Sequence, residues 1–423
     1  MTKTKFAPII VALQKSLQAF MGLITALIAV KFLSLEMQGY YYAIGSLLSS
    51  YVILDLCLSS YILQKAAALA SKKEISNGAQ FKAFQYWSHR LYRATGIAAI
   101  VLIYPFGYAI LENQHAINAN VNWLIPWTLS SLLLGLLIPA LGFVTVIEGT
   151  GAIAEAYSLK IASNILGAML TCSAIILGYG LYAQAMPFLA LTILLFIWKK
   201  IKYKENLCKL EDNSSLYKIY NNEILERLGS SISRSLGSYA YLNVPIIISI
   251  ITGSLENTGR LGLSIVIANI GGAIAMSLIT AKIPLLIQSI KKDSFHKNKK
   301  IIIKYFLISN LIFIMGFLIL IILTIKFENL LIFKRILNTK DLTILFLAFV
   351  LFININPLQT LLEASNIKSK AFELSIFFIT FILIIIKYIL NIEISENILV
   401  ISMAIASFTA FIITMFSFRL IKS

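Results

Sequence analysis

Long apolar runs, each about as long as a bilayer is thick, repeat from one end of this chain to the other. A lipid-spanning helix needs about 20 mostly apolar residues. Residues 9–33, 40–63, 94–111, 124–147, 159–177 and 181–198 meet or approach that length. After a polar gap, residues 230–252, 261–287, 301–325, 342–362, 372–390 and 398–418 do the same. Hydrophobic residues make up 59% of the chain and charged residues 13%, the reverse of what a soluble domain of this size needs. The expected fold is therefore an all-α polytopic membrane protein with about twelve transmembrane helices.

Charge placement sets the expected orientation. With the N-terminus in the cytoplasm, most of the 36 Lys and Arg residues fall on the inner side. They lie between Lys65 and Arg93, between Lys199 and Arg227, between Lys291 and Lys304, and at Arg419 and Lys422. The positive-inside rule then places both termini in the cytoplasm. The formal net charge of +17 is accounted for by that rule and by anionic lipid headgroups, so no nucleic-acid partner is expected. Lys3 and Lys5 resemble the start of a signal peptide, but the run behind them is too long and holds Gln14, Lys15 and Gln18, so it reads as the first helix.

Other chemistry is sparse. Cys57, Cys172 and Cys208 show no disulfide framework or metal spacing, and His89, His115 and His296 all fall in expected loops. There is no GxxxxGK[ST] phosphate loop and no connection long enough for a catalytic domain. No enzymatic activity, cofactor or metal is expected.

The chain reads as one six-helix unit used twice. Lys15-Ser16-Leu17, Ser34-Leu35-Glu36 and Gly39 around the first hairpin are echoed by Arg234-Ser235-Leu236, Ser254-Leu255-Glu256 and Gly259 around the seventh helix. A second echo sets Glu148 and Ala156-Tyr157 against Glu363 and Ala371-Phe372. Six spans is an even number, so both halves share one orientation, related by an axis along the membrane normal. The expected lobes are residues 1–198 and 230–423, joined by a cytoplasmic linker at 199–229, around a central cavity.

Charges inside the apolar runs mark candidate sites, because a cation at mid-helix costs about 2.5–3.5 kcal/mol on insertion scales. Lys15 shares a polar helix face with Gln14 and Gln18. Arg234 holds the matching place in the second half, on a stripe with Ser230, Ser238 and Tyr241. Two placements satisfy such cations. They can line a cavity that receives an anionic group, for which the planar Arg fork suits phosphate, or they can snorkel to the headgroups. Lys282 reads as an interfacial anchor. Asp55 is either a partner for a cavity cation or an ion-coupling group. Glu148 and Glu363 open short cytoplasmic connections and are candidates for gating ion pairs.

The segment Lys31-Phe32-Leu33-Ser34-Leu35-Glu36-Met37-Gln38-Gly39-Tyr40-Tyr41-Tyr42, running on through Gly45-Ser46-Leu47-Leu48, resembles the opening hairpin of bacterial O-antigen and polysaccharide flippases (Wzx-type) of the MOP exporter superfamily. Asp55-Leu56-Cys57-Leu58-Ser59-Ser60 resembles that family's acidic-Leu-Gly-Leu-Ser stretch. The sequence departs from it at Leu35, where Pro is usual, at Asp55, where Glu is usual, and at Cys57, where Gly is usual. The resemblance covers about the first 70 residues and implies a V-shaped pair of six-helix lobes working by alternating access in the bacterial inner membrane. The implied substrate is an undecaprenyl-pyrophosphate-linked oligosaccharide, with membrane lipids, a polysaccharide polymerase and a chain-length regulator as partners. Lys15 and Arg234 would neutralise the pyrophosphate, while Gln14, Gln18, Ser238 and Tyr241 would hydrogen-bond sugar hydroxyls. The alternatives are a cation-coupled exporter of small molecules on the same architecture and a non-transporting assembly scaffold.

Overall fold

The structure, a computed structural model, describes residues 7–71, 79–115, 121–202, 214–293, 295–364 and 395–419. Among them the regular elements are all helical. The first half holds α1 (Ala7–Phe32), α2 (Leu35–Leu48), α3 (Tyr51–Ser71), α4 (Ala79–His115), α5 (Leu124–Gly149), α6 (Ile153–Ile176) and α7 (Met186–Lys202). The second holds α8 (Ser214–Thr252), α9 (Leu255–Asp293), α10 (Phe295–Lys326), the single turn α11 (Leu331–Lys334), α12 (Thr339–Ala364) and α13 (Glu396–Arg419). Eleven spans among the described residues are long and apolar enough to cross a membrane, and they fall on eleven of the expected runs. The remaining run, 372–390, lies outside the described residues. Large apolar side chains stay exposed along the helices, as at Leu307, Leu311, Met315, Ile319 and Ile322 on α10, which is what a lipid-facing surface requires.

The second span is not a single helix. It breaks between α2 and α3 at Ser49–Ser50, where the amides of Ser50, Val52 and Ile53 bond three residues back, to Leu47, Ser49 and Ser50. The Ser50 hydroxyl also donates to the Leu47 carbonyl at 2.6 Å. These tighter i→i+3 bonds, with a hydroxyl competing for a backbone acceptor, account for the interruption.

Two compact units make up the chain. One comprises Met1–Gln14 and Leu47–Ser235; the other comprises Lys15–Ser46 and Leu236–Ser423. The expected six-helix halves follow the sequence repeat, whereas these units follow packing, and the chain passes between units within α1, near the end of α2 and within α8.

In the first unit, glycines bring α4 and α5 together. A Cβ at Gly96 would come within 2.5 Å of the Gly135 carbonyl, and one at Gly107 or Gly142 would overlap the rings of Trp127 or Tyr92. Small residues give helices in lipid the close backbone approach on which their packing depends. The Trp127 indole then donates to the Tyr104 carbonyl at 3.2 Å. Leu137, Val144, Ala156 and Leu195 form a buried cluster that Phe188, Leu191 and Trp198 cover.

The second unit has an aromatic interior. Tyr241 lies face to face on Phe352, with ring centroids 3.9 Å apart, and edge-on to Phe349. Phe346 stacks between Phe313 and Phe317. Within the bundle, Asn310 of α10 and Asn354 of α12 exchange amide hydrogen bonds at 3.0 and 2.8 Å.

That pair yields a stability prediction. Asn354→Leu leaves the Asn310 amide oxygen without its donor and should cost about 1 kcal/mol, near the average for such bonds between membrane helices. Asn310→Leu/Asn354→Leu should recover part of that loss, because no buried amide is left alone. Thermal unfolding of the purified protein in detergent reads both effects.

Candidate functional site

The first unit carries a charged network inside a membrane span. Asp55, one turn into α3, accepts a hydrogen bond from the Tyr92 hydroxyl of α4 at 3.2 Å. Tyr92 is fully buried and rests on Gly142 of α5, and its hydroxyl is also bonded to Thr145. Two turns into α6, Lys160 pairs with Glu148 of α5 at 2.9 Å. The same ammonium lies 4.4 Å from the centre of the Tyr157 ring, and the Tyr157 hydroxyl bonds Glu148. Lys160 also acts attractively on the Asp55 carboxylate.

Asp55 and Glu148, two separate oddities in the sequence, thus share one electrostatic neighbourhood and one cation. With both carboxylates ionised, the network holds two negative charges against one positive, which leaves capacity for a proton or a small cation. Among the described residues, no group of three or more His, Cys, Asp or Glu side chains is arranged to hold a metal ion. Lys160 stands second in an apolar run, where a Lys looks like an interfacial anchor, so the sequence alone does not mark it as a site residue. Its spacing from Glu148 across a short turn was the available signal.

A second polar group closes the same unit where α3, α4 and α8 meet. Lys65 binds both Glu223 oxygens, at 2.7 and 2.8 Å, and the Tyr61 hydroxyl donates to Glu223 at 2.8 Å. The Trp87 indole donates to Asn221 at 2.8 Å, and Tyr220 packs edge-on to Phe84. Burial, with the neighbouring Glu223 carboxylate, pushes the Tyr220 phenol above its ordinary range. The helical second part of the expected linker is thereby clamped to the first unit.

The remaining candidates are dispersed. Gln14 is buried at the end of the first unit's N-terminal segment, whereas Lys15 and Gln18 are exposed on α1 in the second unit. Ser238 is half-buried on α8. Tyr241 belongs to the aromatic interior rather than to an open face, since its ring is 2% exposed. Lys282 is exposed on α9. The side chains of Arg234 and Glu363 lie outside the described ones.

The sequence matches no protein-family model and no curated protein. Its fold is that of transporters of the MOP superfamily. Lipid II flippase MurJ in an inward closed conformation superposes with a TM-score of 0.67 at 14% identity, covering 95% of this chain and 86% of that one. The inward-facing conformation of a multidrug resistance MATE family transporter gives 0.59 at 12% identity, covering 96% and 98%. A MOP superfamily transporter from Pyrococcus furiosus, described as having a binding pocket of reversed polarity, gives 0.54 at 15% identity, covering 99% and 97%. At these identities the likeness is one of fold. The neighbours are transporters and flippases, not enzymes.

The Lys160 network makes a prediction about interdependence. Lys160→Met leaves Glu148 and Asp55 without their shared cation and should lower stability by about 1–3 kcal/mol. Glu148→Gln should cost less, because Lys160 retains Asp55 as a neighbour. Glu148→Gln/Lys160→Met should lie between the two single variants. The order of the three unfolding midpoints checks the arrangement.

Proposed function

We propose that this chain is a flippase. It translocates an undecaprenyl-pyrophosphate-linked oligosaccharide, an O-antigen or other surface-polysaccharide repeat unit, from the cytoplasmic to the periplasmic leaflet of the inner membrane by alternating access. The observation that carries this reading is a fold shared with a lipid II flippase over nearly the whole chain, joined to the flippase-like opening hairpin at residues 31–48.

In this reading Lys15 and Arg234 neutralise the pyrophosphate. Gln14, Gln18 and Ser238 bond sugar hydroxyls, and the polyprenyl tail stays in lipid. A phosphate-bearing headgroup needs fixed cations where it leaves the leaflet, and Arg meets phosphate with two parallel hydrogen bonds. Tyr241, stacked on Phe352, acts by shaping the wall rather than by bonding substrate. Binding alone gives no direction, so net movement comes from an ion gradient or from consumption of the product. The Asp55–Lys160–Glu148 network is the coupling site, and exchange of a proton or cation there would change the charge shared by α3, α5 and α6. Glu363 is a second gating carboxylate. The partners are the lipid-linked oligosaccharide, membrane lipids, a polysaccharide polymerase and a chain-length regulator.

The multidrug MATE neighbours favour one other reading, a cation-coupled exporter of small molecules. Its cargo is commonly cationic and asks for an acidic, aromatic site, which the Lys15 and Arg234 pair opposes.

The test is a deletion strain complemented with wild type, Lys15→Ala or Arg234→Ala, each at matched abundance. Loss of surface polymer with accumulation of lipid-linked repeat units, restored by wild type and reduced about tenfold or more with either variant, is the expected result; loss of one charge-assisted phosphate contact is of that size. Unchanged polymer together with new drug sensitivity in the deletion strain would replace the flippase with the exporter.

A further inference from the structure

The first hairpins of the two repeats meet tip to tip inside the second unit. The chain turns from α1 into α2 at Ser34 and from α8 into α9 at Ser254, and each serine caps its helix. Ser34 Oγ accepts the Met37 amide and Ser254 Oγ the Asn257 amide, both at 3.2 Å. Five residues on, each helix presents a glycine to the other. A Cβ on Gly39 would overlap the Leu255 carbonyl, and a Cβ on Gly259 would lie 3.2 Å from both the Leu35 carbonyl and the Gly39 amide nitrogen. One turn deeper, Tyr42 of α2 rests on Gly262 of α9. Backbone therefore meets backbone at the Gly39–Gly259 crossing.

Polar groups hold the crossing in register. Gln38, fully buried, donates to the Gly259 carbonyl at 3.0 Å. Arg335, just after α11, donates to the Leu33 carbonyl at 2.5 Å and to Gln38 Oε1 at 3.2 Å. The Arg335 fork thus satisfies a carbonyl at the end of α1 and fixes which way the Gln38 amide points. Two residues on, the Leu337 amide bonds Ser264 Oγ at 3.0 Å, anchoring this strap to α9.

The α2 arm also has a bending point, at its end away from the hairpin tip. The Ser49–Ser50 break between α2 and α3 lies within four residues of the place where the chain changes units, at Ser46–Leu47. A single turn of i→i+3 bonds absorbs a change of direction more readily than a continuous α-helix.

We propose that the Gly39–Gly259 crossing is a closure that opens and shuts, with Arg335 as its lock and Ser49–Ser50 as the hinge of the α2 arm. A contact of backbone on backbone parts once the Gln38 and Arg335 hydrogen bonds are released, and a lock made of one guanidinium releases in one step. The end concerned is the one the charge pattern assigns to the outside. This inference rests on the transporter reading for its purpose, but its test does not depend on cargo.

The test uses full-length protein with Cys57, Cys172 and Cys208 replaced and spin labels placed at Glu36→Cys and Asn257→Cys, one on each hairpin tip. In nanodiscs without substrate, pulsed electron resonance should give a distance distribution dominated by a short, closed population. Arg335→Ala should raise the ratio of the long population to the short one about tenfold, the change expected on losing charge-assisted hydrogen bonds. Gly39→Ala should do likewise, because its methyl cannot fit against Leu255. Gly316→Ala, with open space around it, should leave the distribution alone. Elution profile and unfolding midpoint establish that each variant is folded, and Arg335→Lys, which keeps the charge but loses the fork, gives a second reading if the alanine variant fails. Identical distributions in the Arg335 and Gly39 variants would overturn the closure. A failed polysaccharide assay with shifting distances would overturn only the cargo.

Discussion

Within hydrocarbon no water stands ready to satisfy a backbone group, and the architecture of this chain is arranged around that constraint. It forces the apolar runs into helices, and it also removes the usual reason for helices to associate, since lipid tails are as apolar as leucine. What remains is close approach and buried polar pairing. Both are visible here at named places. Gly96 meets the Gly135 carbonyl, Gly142 makes room for Tyr92, and Gly39 lies against the Leu255 carbonyl. Polar pairs stand beside two of these approaches, Tyr92 on Asp55 and Gln38 on the Gly259 carbonyl, and Asn310 with Asn354 adds another within the bundle. A methyl at Gly142 would move Tyr92 and with it the hydrogen bond on Asp55, so packing and electrostatics are coupled through a single glycine.

The spans were legible because their signal is length and composition, which need no partner. The break at Ser49–Ser50 was not legible, since two serines in an apolar run are also ordinary inside a continuous membrane helix. Asp55 and Glu148 stand out as charges in an apolar setting, yet nothing in their spacing shows that one lysine serves both. That fact belongs to the packing of α3, α5 and α6, which brings together residues far apart in the chain. Tyr241 shows the opposite limit. Its position on a stripe with Ser238 suggested an open polar face, but the rotation of α8 turns its ring onto Phe352. Periodicity says which residues share a face, and only the neighbours say what that face meets.

Arg335 lies in a connection, where arginine is unremarkable, so the sequence alone does not single it out. In the fold it reaches the end of α1, some three hundred residues earlier in the chain, and orients Gln38. Arg335 itself has no counterpart in the echoed words, and neither does Gln38, whose place in the second hairpin is held by Thr258. Thr258 turns to Ser249 within its own hairpin instead. The lock is thus one-sided, whereas the surfaces it locks are paired.

That contrast explains which words of the repeat can still be read. A contact between two matching hairpins asks the same thing of both partners: a serine to cap the helix, a leucine whose carbonyl receives the other helix, and a glycine to admit it. Ser34, Leu35 and Gly39 answer to Ser254, Leu255 and Gly259 because the two hairpins meet each other there. Away from the crossing each helix packs against different neighbours, and lipid accepts almost any apolar residue. There the two halves are free to differ. The echo in the sequence is therefore a trace of a physical contact, and its clearest words lie at the crossing itself.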